Sequence, residues 1–284
     1  MSDTATLLMT CKDQTGLVYR IAEFIYRHRG NILHADQHID VGTGRFFTRV
    51  EWDLEGFDLS RQKLELEFRS LAEPLGMEWE LRFSNQQPRI AIFVSRLDHC
   101  LVDLLHRHSI GELNGELVCI VSNHEDLRHH AESYGIPFHV FPISKENKDD
   151  QENRELELLA AQRIELVILA RYMQILTENF VRRFPNRIIN IHHSFLPAFA
   201  GARPHARAHA RGVKLIGASS HYVTPVVDEG PIIEQDVVRV SHRDTVDDMV
   251  RKGRDTERQV LARAVRLHLE ARVWPYENKT VVFD

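Results

Sequence analysis

Two uninterrupted apolar runs, Ile90-Ala91-Ile92-Phe93-Val94 and Leu166-Val167-Ile168-Leu169-Ala170, constrain the fold of this chain more than any other feature. A strand with one wet face alternates apolar and polar residues, so a run without alternation belongs to a strand covered on both faces. Around these runs, Leu117 to Val121 and Arg187 to Ile191 read as further strands, and Leu101 to His106, Glu125 to Tyr134 and Glu152 to Arg163 as helices. Strand and helix in alternation predict a parallel α/β sheet with active groups at the carboxyl ends of its strands. Val213 to Val240 reads as two strands joined by a turn around Asp228-Glu229-Gly230-Pro231, and Thr245 to Arg272 as a long charged helix.

The first part of the chain follows another rule. Ala5 to Cys11 is a short apolar strand, and Gly16 to His28 carries Leu17, Ile21, Phe24 and Ile25 at helical spacing. Gly42-Thr43-Gly44 separates two further strands, Ile32 to Val41 and Arg45 to Leu54. Leu59 to Leu71 is an amphipathic helix, and Met77 to Phe83 alternates as an edge strand. This βαββαβ order predicts an antiparallel sheet with both helices on one face. The polar stretch Ser84-Asn85-Gln86-Gln87-Pro88 divides the chain, giving expected domains of 1–86 and 87–284.

Charge and cysteine content exclude several functional classes. A formal net charge of −5 gives no reason to expect nucleic acid or a membrane surface as a partner. No apolar run is long enough to span a bilayer, and the first ten residues lack the pattern of a signal peptide. Cys11, Cys100 and Cys119 are odd in number and far apart, so neither a disulfide framework nor a metal site is expected; reduced thiols fit a cytoplasmic location.

The chemistry gathers in two stretches. In Ile188-Ile189-Asn190-Ile191-His192, the Asn and the His occupy alternate positions of a buried strand and therefore share a face. An amide can donate to a developing oxyanion, and an imidazole can move protons near neutral pH. In the second stretch, Asp228 stands just before Gly230-Pro231, a break that can aim the acid at a neighbouring site. An acid beside a histidine can order a water and stabilise an imidazolium. Alone, the first motif reads sooner as a loop hydrogen bond and a turn cap, and the second sooner as a surface turn.

Together, Asn190, His192, Ser194, Leu196, Pro197, Asp228, Gly230 and Pro231 resemble the folate-dependent formyltransferase family, over residues 89 to about 240. The resemblance implies that Asn190 and His192 polarise a formyl oxygen and that Asp228 orients the nucleophile and steers the histidine. It implies a folate pocket in the loop from Ala170 to Leu176, with Met173, Ile175, Leu176 and Val181 on one side and Val223 and Thr224 on the opposite rim. Formyltransferases acting on a phosphorylated amine use a glycine-rich loop after the first strand. Here Ser95-Arg96-Leu97-Asp98-His99-Cys100-Leu101 has no glycine and carries an acid.

The whole chain resembles the bacterial formyltetrahydrofolate deformylases. His99-Cys100-Leu101, Asn190 to Gly201, Ala202-Arg203-Pro204, Gly212-Val213-Lys214 and Asp228 to Glu234 carry the likeness, and Cys11 to Val18, Gly30-Asn31-Ile32 and Thr43 to Phe47 resemble the ACT domain of that family. The implied reaction is hydrolysis of 10-formyltetrahydrofolate to formate and tetrahydrofolate, in one-carbon and purine metabolism. The implied substrate is folate, with no separate cofactor and no metal. Formyl transfer to an unidentified amine and a noncatalytic folate or amino-acid sensor are the competing readings. The ACT resemblance implies an amino-acid effector at Asp13, Gly16, Asn31 and Ile32, or a dimerisation module, in a homo-oligomer that could be a tetramer. One departure is Ala206, where the family usually has His; His205 and His209, spaced i, i+4, read as solvated residues of a helix face.

Overall fold

The residues of the computed structural model, described over 3–198 and 204–283, sort into two units that part between Gln87 and Pro88. In the first unit, strand β1 (Thr4–Lys12), helix α1 (Leu17–Arg27), β2 (Asn31–Asp40), β3 (Arg45–Asp53), α2 (Arg61–Ala72) and β4 (Glu78–Phe83) follow one another. The sheet runs β2-β3-β1-β4 with antiparallel pairing throughout, the ferredoxin-like arrangement. Leu17, Ile21 and Ile25 of α1 and Leu64 and Phe68 of α2 share one core with Leu7, Met9, Val50 and Trp52 of the sheet. The two helices therefore bury their apolar stripes on one face, as helical spacing requires.

A second hairpin, β12 (Val273–Tyr276) and β13 (Lys279–Val282), ends the described chain. The expectation that everything after residue 86 forms one domain is corrected here: Ala271–Trp274 and the segment from Val281 onward group with the first unit. The buried Arg49 side chain donates from Nε to the Ala271 carbonyl at 3.0 Å. Strands of four residues are too short for periodicity to reveal them.

The second unit contains β5 (Arg89–Val94), α3 (His99–Ser109), β6 (Glu116–Ser122), α4 (Arg128–Ser133), β7 (Phe138–Val140), α5 (Lys148–Ala161) and β8 (Leu166–Leu169). It continues with α6 (Glu178–Arg183), β9 (Ile188–His192), α7 (Pro204–Arg211), β10 (Leu215–Tyr222), β11 (Ile232–Arg239) and α8 (Val246–Leu269). The sheet order is β11-β10-β9-β8-β5-β6-β7. From β7 to β9 the strands are parallel, whereas β10 and β11 join antiparallel at the β9 edge. The parallel expectation thus holds for the centre, and the hairpin about residues 228–231 supplies the rest. Strand order reverses between β5 and β8, and ligands of such sheets sit beyond the carboxyl ends near that reversal.

Helix α6 has no counterpart in the expected elements, whereas α7 is the helix that the spacing of His205 and His209 implies. α6 has only six residues, started by the Thr177 side chain accepting from Phe180 N–H. On α7, His209 is exposed, but His205 is corrected from a solvated position to a packed one. Its ring stacks on His193 at 6.3 Å, and it lies so close to Gly253 of α8 that a Cβ there would approach Nε2 to 2.4 Å.

Candidate active site

Strand β9 buries Ile188, Ile189 and Ile191 and ends in His192, which is itself buried; Asn190 is half-buried. Its antiparallel neighbour β10 places His221 directly opposite Asn190. The Asn190 amide lies 3.2 Å from His221 Nε2, and His221 Nδ1 lies 2.9 Å from the Tyr222 carbonyl. A carbonyl can only accept, so Nδ1 carries the hydrogen and Nε2 of the neutral ring accepts from Asn190. Burial lowers the His221 pKa, which favours that neutral form. The amide nitrogen keeps a second hydrogen to offer.

The acid arrives on the turn between β10 and β11. Asp228 Oδ2 is 3.2 Å from His192 Nδ1, and Oδ1 is 3.7 Å from His221 Nε2. Asp228 reaches this place in a left-handed backbone conformation, φ +58°. Glycine at 230 makes the turn possible. The chain passes so close to β10 that a Cβ there would stand 1.7 Å from the Tyr222 carbonyl oxygen, and Tyr222 N–H donates to the Pro231 carbonyl at 2.9 Å. Glu229, the neighbouring acid, is exposed. The His192 ring beside Asp228 holds its carboxyl below the ordinary value, so Asp228 is a carboxylate at neutral pH. His192 Nε2 is buried without a partner among the described residues. An anchored imidazole with one open nitrogen, an amide hydrogen and a carboxylate is a constellation suited to acyl chemistry.

A formyl transferase family model matches residues 88–265. The formyltetrahydrofolate deformylase of Synechocystis is 61% identical over 280 residues, covering 99% of this chain and 98% of that one. The chain belongs to the formyltetrahydrofolate deformylase family. The Bacillus subtilis deformylase is 49% identical over 99% of this chain and 94% of its own length. The crystal structure of the Pseudomonas syringae deformylase superposes with a TM-score of 0.98 at 45% identity, covering 100% of this chain and 95% of that chain. A glycinamide ribonucleotide transformylase from Symbiobacterium toebii is also similar, with a TM-score of 0.67 at 32% identity over 72% of this chain and 98% of that chain.

In this member of the deformylase family, a second polar cluster adjoins the first. His99 Nε2 stands 2.9 Å from Glu257 Oε2, and Arg171 Nε stands 3.4 Å from the same oxygen. Burial raises the Glu257 carboxyl, but the His99 bond and the Arg171 charge more than offset it and hold it below its ordinary value. Burial, reinforced by Arg171 and His192, lowers the neighbouring His193 to about 4, so that ring is neutral at physiological pH. Ligand atoms of His99, Cys100 and Glu257 all lie within 4.8 Å of one another. Arg171 already occupies the carboxylate, and burial pushes the Cys100 thiol well above its ordinary value, so this group is a poor cation site.

Of the deformylase-like segments, residues 199–203 lie outside the described residues. Of the expected folate contacts, Met173 and Ile175 are 58% and 63% exposed, while Leu176 and Val181 belong to the apolar core with Phe93 and Phe180. Val223 and Thr224 are half-buried. Asp13, Gly16, Asn31 and Ile32 are all exposed in the first unit, two on the β1–α1 connection and two at the start of β2. Sequence reasoning assigned no role to His221; the signal lies in strand register, since only pairing with β9 brings it to Asn190.

Proposed function

We propose that this chain hydrolyses 10-formyltetrahydrofolate to formate and tetrahydrofolate, with Asn190, His192 and Asp228 carrying the reaction. The observation that supports it most is the Asp228–His192 contact at 3.2 Å beside an Asn190 amide oriented by His221. Water attacks the formyl carbon, and the carbonyl electron pair moves onto oxygen, where the free Asn190 amide hydrogen meets the developing charge. Asp228 orders the water, and His192 takes its proton through the open Nε2; the resulting imidazolium is stabilised by the carboxylate. The same proton passes to N10 as the C–N bond breaks, leaving the amine of tetrahydrofolate and formic acid, which gives up water's second proton to become formate. Met173, Ile175, Leu176 and Val181 line one side of the folate ring, and Val223 and Thr224 the other.

The loop after β5 supports water over a phosphorylated amine as the acceptor, because its polar groups are already satisfied. Ser95 Oγ donates to Asn123 Oδ1 at 2.7 Å and accepts from Met173 N–H at 2.9 Å, and the buried Glu257 stands behind His99. That loop has no glycine and carries the exposed Asp98, so a phosphorylated acceptor would meet a carboxylate where it needs donors. Purified protein given 10-formyltetrahydrofolate alone should release formate. Turnover that starts only after an amine is added would overturn the reading.

The first unit serves regulation and assembly. Asp13, Gly16, Asn31 and Ile32 form an exposed site for an amino-acid effector, and β2, an edge strand exposed along most of its length, offers Ile32, Leu33 and Ile39 to a second copy of the chain. The assembly is a homo-oligomer, a tetramer being the expected size. No described helix is long and apolar enough to cross a membrane. Three buried free cysteines fit work in the reducing cytoplasm, with no cofactor beyond the folate substrate.

A further inference from the structure

Helix α5 buries an unusual stripe. Glu152, Glu155 and Leu159 face inward, and the two glutamates are 2% and 0% exposed. Leucine at both positions would fill the space without desolvating a carboxyl group, so the glutamates are not explained by packing. Their partners explain them. Glu155 Oε1 accepts from the Tyr172 hydroxyl at 3.1 Å, while Oε2 has no partner among the described residues. Glu152 accepts the Thr177 N–H on both oxygens, at 3.2 and 3.1 Å, and also the Thr177 hydroxyl. Lys148, 3.8 Å from Glu152, donates to the Ile175 carbonyl.

One helix turn therefore grips both ends of a single loop. Tyr172 and Thr177 are fixed, and the residues between them include the exposed Met173 and Ile175. Tyr172 is also wedged edge-on against Phe93 at 5.2 Å. Burial raises the Glu155 carboxyl to about 7, against the opposing effect of the Tyr172 bond. A group of that kind can accept from Tyr172 without carrying a full buried charge, whereas Glu152 faces two donors and the Lys148 ammonium.

We infer that Glu152 and Glu155 are positioning residues that hold the 172–177 loop in the shape that receives the folate ring. The inference rests on the reading that this loop borders the folate. The two glutamates touch no substrate and act through Tyr172 and Thr177. Their effect belongs in binding: KM changes and kcat does not, because a loop that must be ordered by the ligand weakens ground state and transition state alike.

The full-length chain tests this with steady-state kinetics on 10-formyltetrahydrofolate. Glu155→Ala and Glu152→Ala should each raise KM about tenfold, the equivalent of one lost hydrogen bond, with kcat within about twofold. Tyr172→Phe and Thr177→Val remove single hydroxyls and should move KM in the same direction even where the alanine variants fold poorly. Glu155→Gln should restore KM to within about threefold, because it keeps the acceptor for Tyr172. Glu152→Gln should restore less, because one of two acceptor oxygens becomes a donor facing Thr177. A KM that is unchanged in all four removal variants, a fall in kcat instead, or equal rescue by both glutamines overturns the inference. The double variant Met173→Asp, Ile175→Asp separates the two levels. If it leaves KM unchanged, the folate reading of the loop falls and the inference with it; if it raises KM while the glutamate variants do not, the inference falls alone.

Discussion

Two of the acid–histidine pairs in the second unit, Asp228–His192 and Glu257–His99, differ in what else touches the acid. Asp228 and His192 are 3.2 Å apart, with the Asp228 side chain 23% exposed and a second histidine, His221, at 3.7 Å. Glu257 and His99 are 2.9 Å apart with side chains 4% and 9% exposed, and Arg171 is on the same oxygen. A guanidinium stays charged at every relevant pH, so Glu257 is neutralised whatever His99 does. Asp228 has imidazole partners, and an imidazole can gain or lose a proton. The pair whose charge can change during a reaction is suited to chemistry, and the pair with a permanent cation is suited to holding three elements together.

Removing the charge from the open pair gives the largest expected effect. Asp228→Asn should lower kcat roughly 100- to 10,000-fold, the usual span for general-base help, with folate affinity within about a few-fold. Glu229→Gln, one residue away and exposed, should change little. Near-normal turnover in Asp228→Asn, or damage from Glu229→Gln, would reassign the acid. Next comes the amide oriented across the strands: Asn190→Ala should cost roughly 100- to 1,000-fold in kcat, the size of one lost oxyanion donor. A loss confined to KM would show that Asn190 binds folate rather than the developing charge.

The closed pair should respond in stability instead. Glu257→Gln leaves Arg171 buried without its counter-charge and should destabilise the fold by about 3 kcal/mol, read from denaturant midpoints, with kcat within about threefold. A collapse in kcat at unchanged stability would erase the distinction between the pairs. The smallest effect concerns His193, between the two. Its pKa is depressed to about 4 from an ordinary 6.5, so in that window the unfolded chain binds more protons than the folded one. Stability should therefore fall as pH drops through that window, and His193→Asn should make the fall in melting temperature shallower. An unchanged slope would remove His193 from the acid response.

The sequence displayed the parts of this site that depend on local rules. Alternation along Ile188 to His192 puts Asn190 and His192 on one face without knowledge of any neighbour. The aim of Asp228 was also legible from Gly230-Pro231, although strand alternation is not what separates it from Glu229; a left-handed turn is. Legibility ends where partners come from distant chain. His221 matters through its register against β9, and Glu152 and Glu155 look like surface charges until the 172–177 loop is folded onto them. His205 looks solvated until α8 presents Gly253 beneath it. Short elements such as α6 and the β12–β13 hairpin are too brief to show a period.

The bond from Arg49 to the Ala271 carbonyl joins residues 222 positions apart. During synthesis at roughly 5 to 20 residues per second, the ribosome needs roughly 10 to 45 seconds to make that intervening stretch. Until it does, the buried guanidinium of β3 has no carbonyl to meet. The first unit, although translated first, thus makes one of its buried hydrogen bonds only when residue 271 arrives. A ribosome stalled before residue 271 would hold a first unit with its βαββαβ order complete and Arg49 paired with Glu51 but not yet with the Ala271 carbonyl.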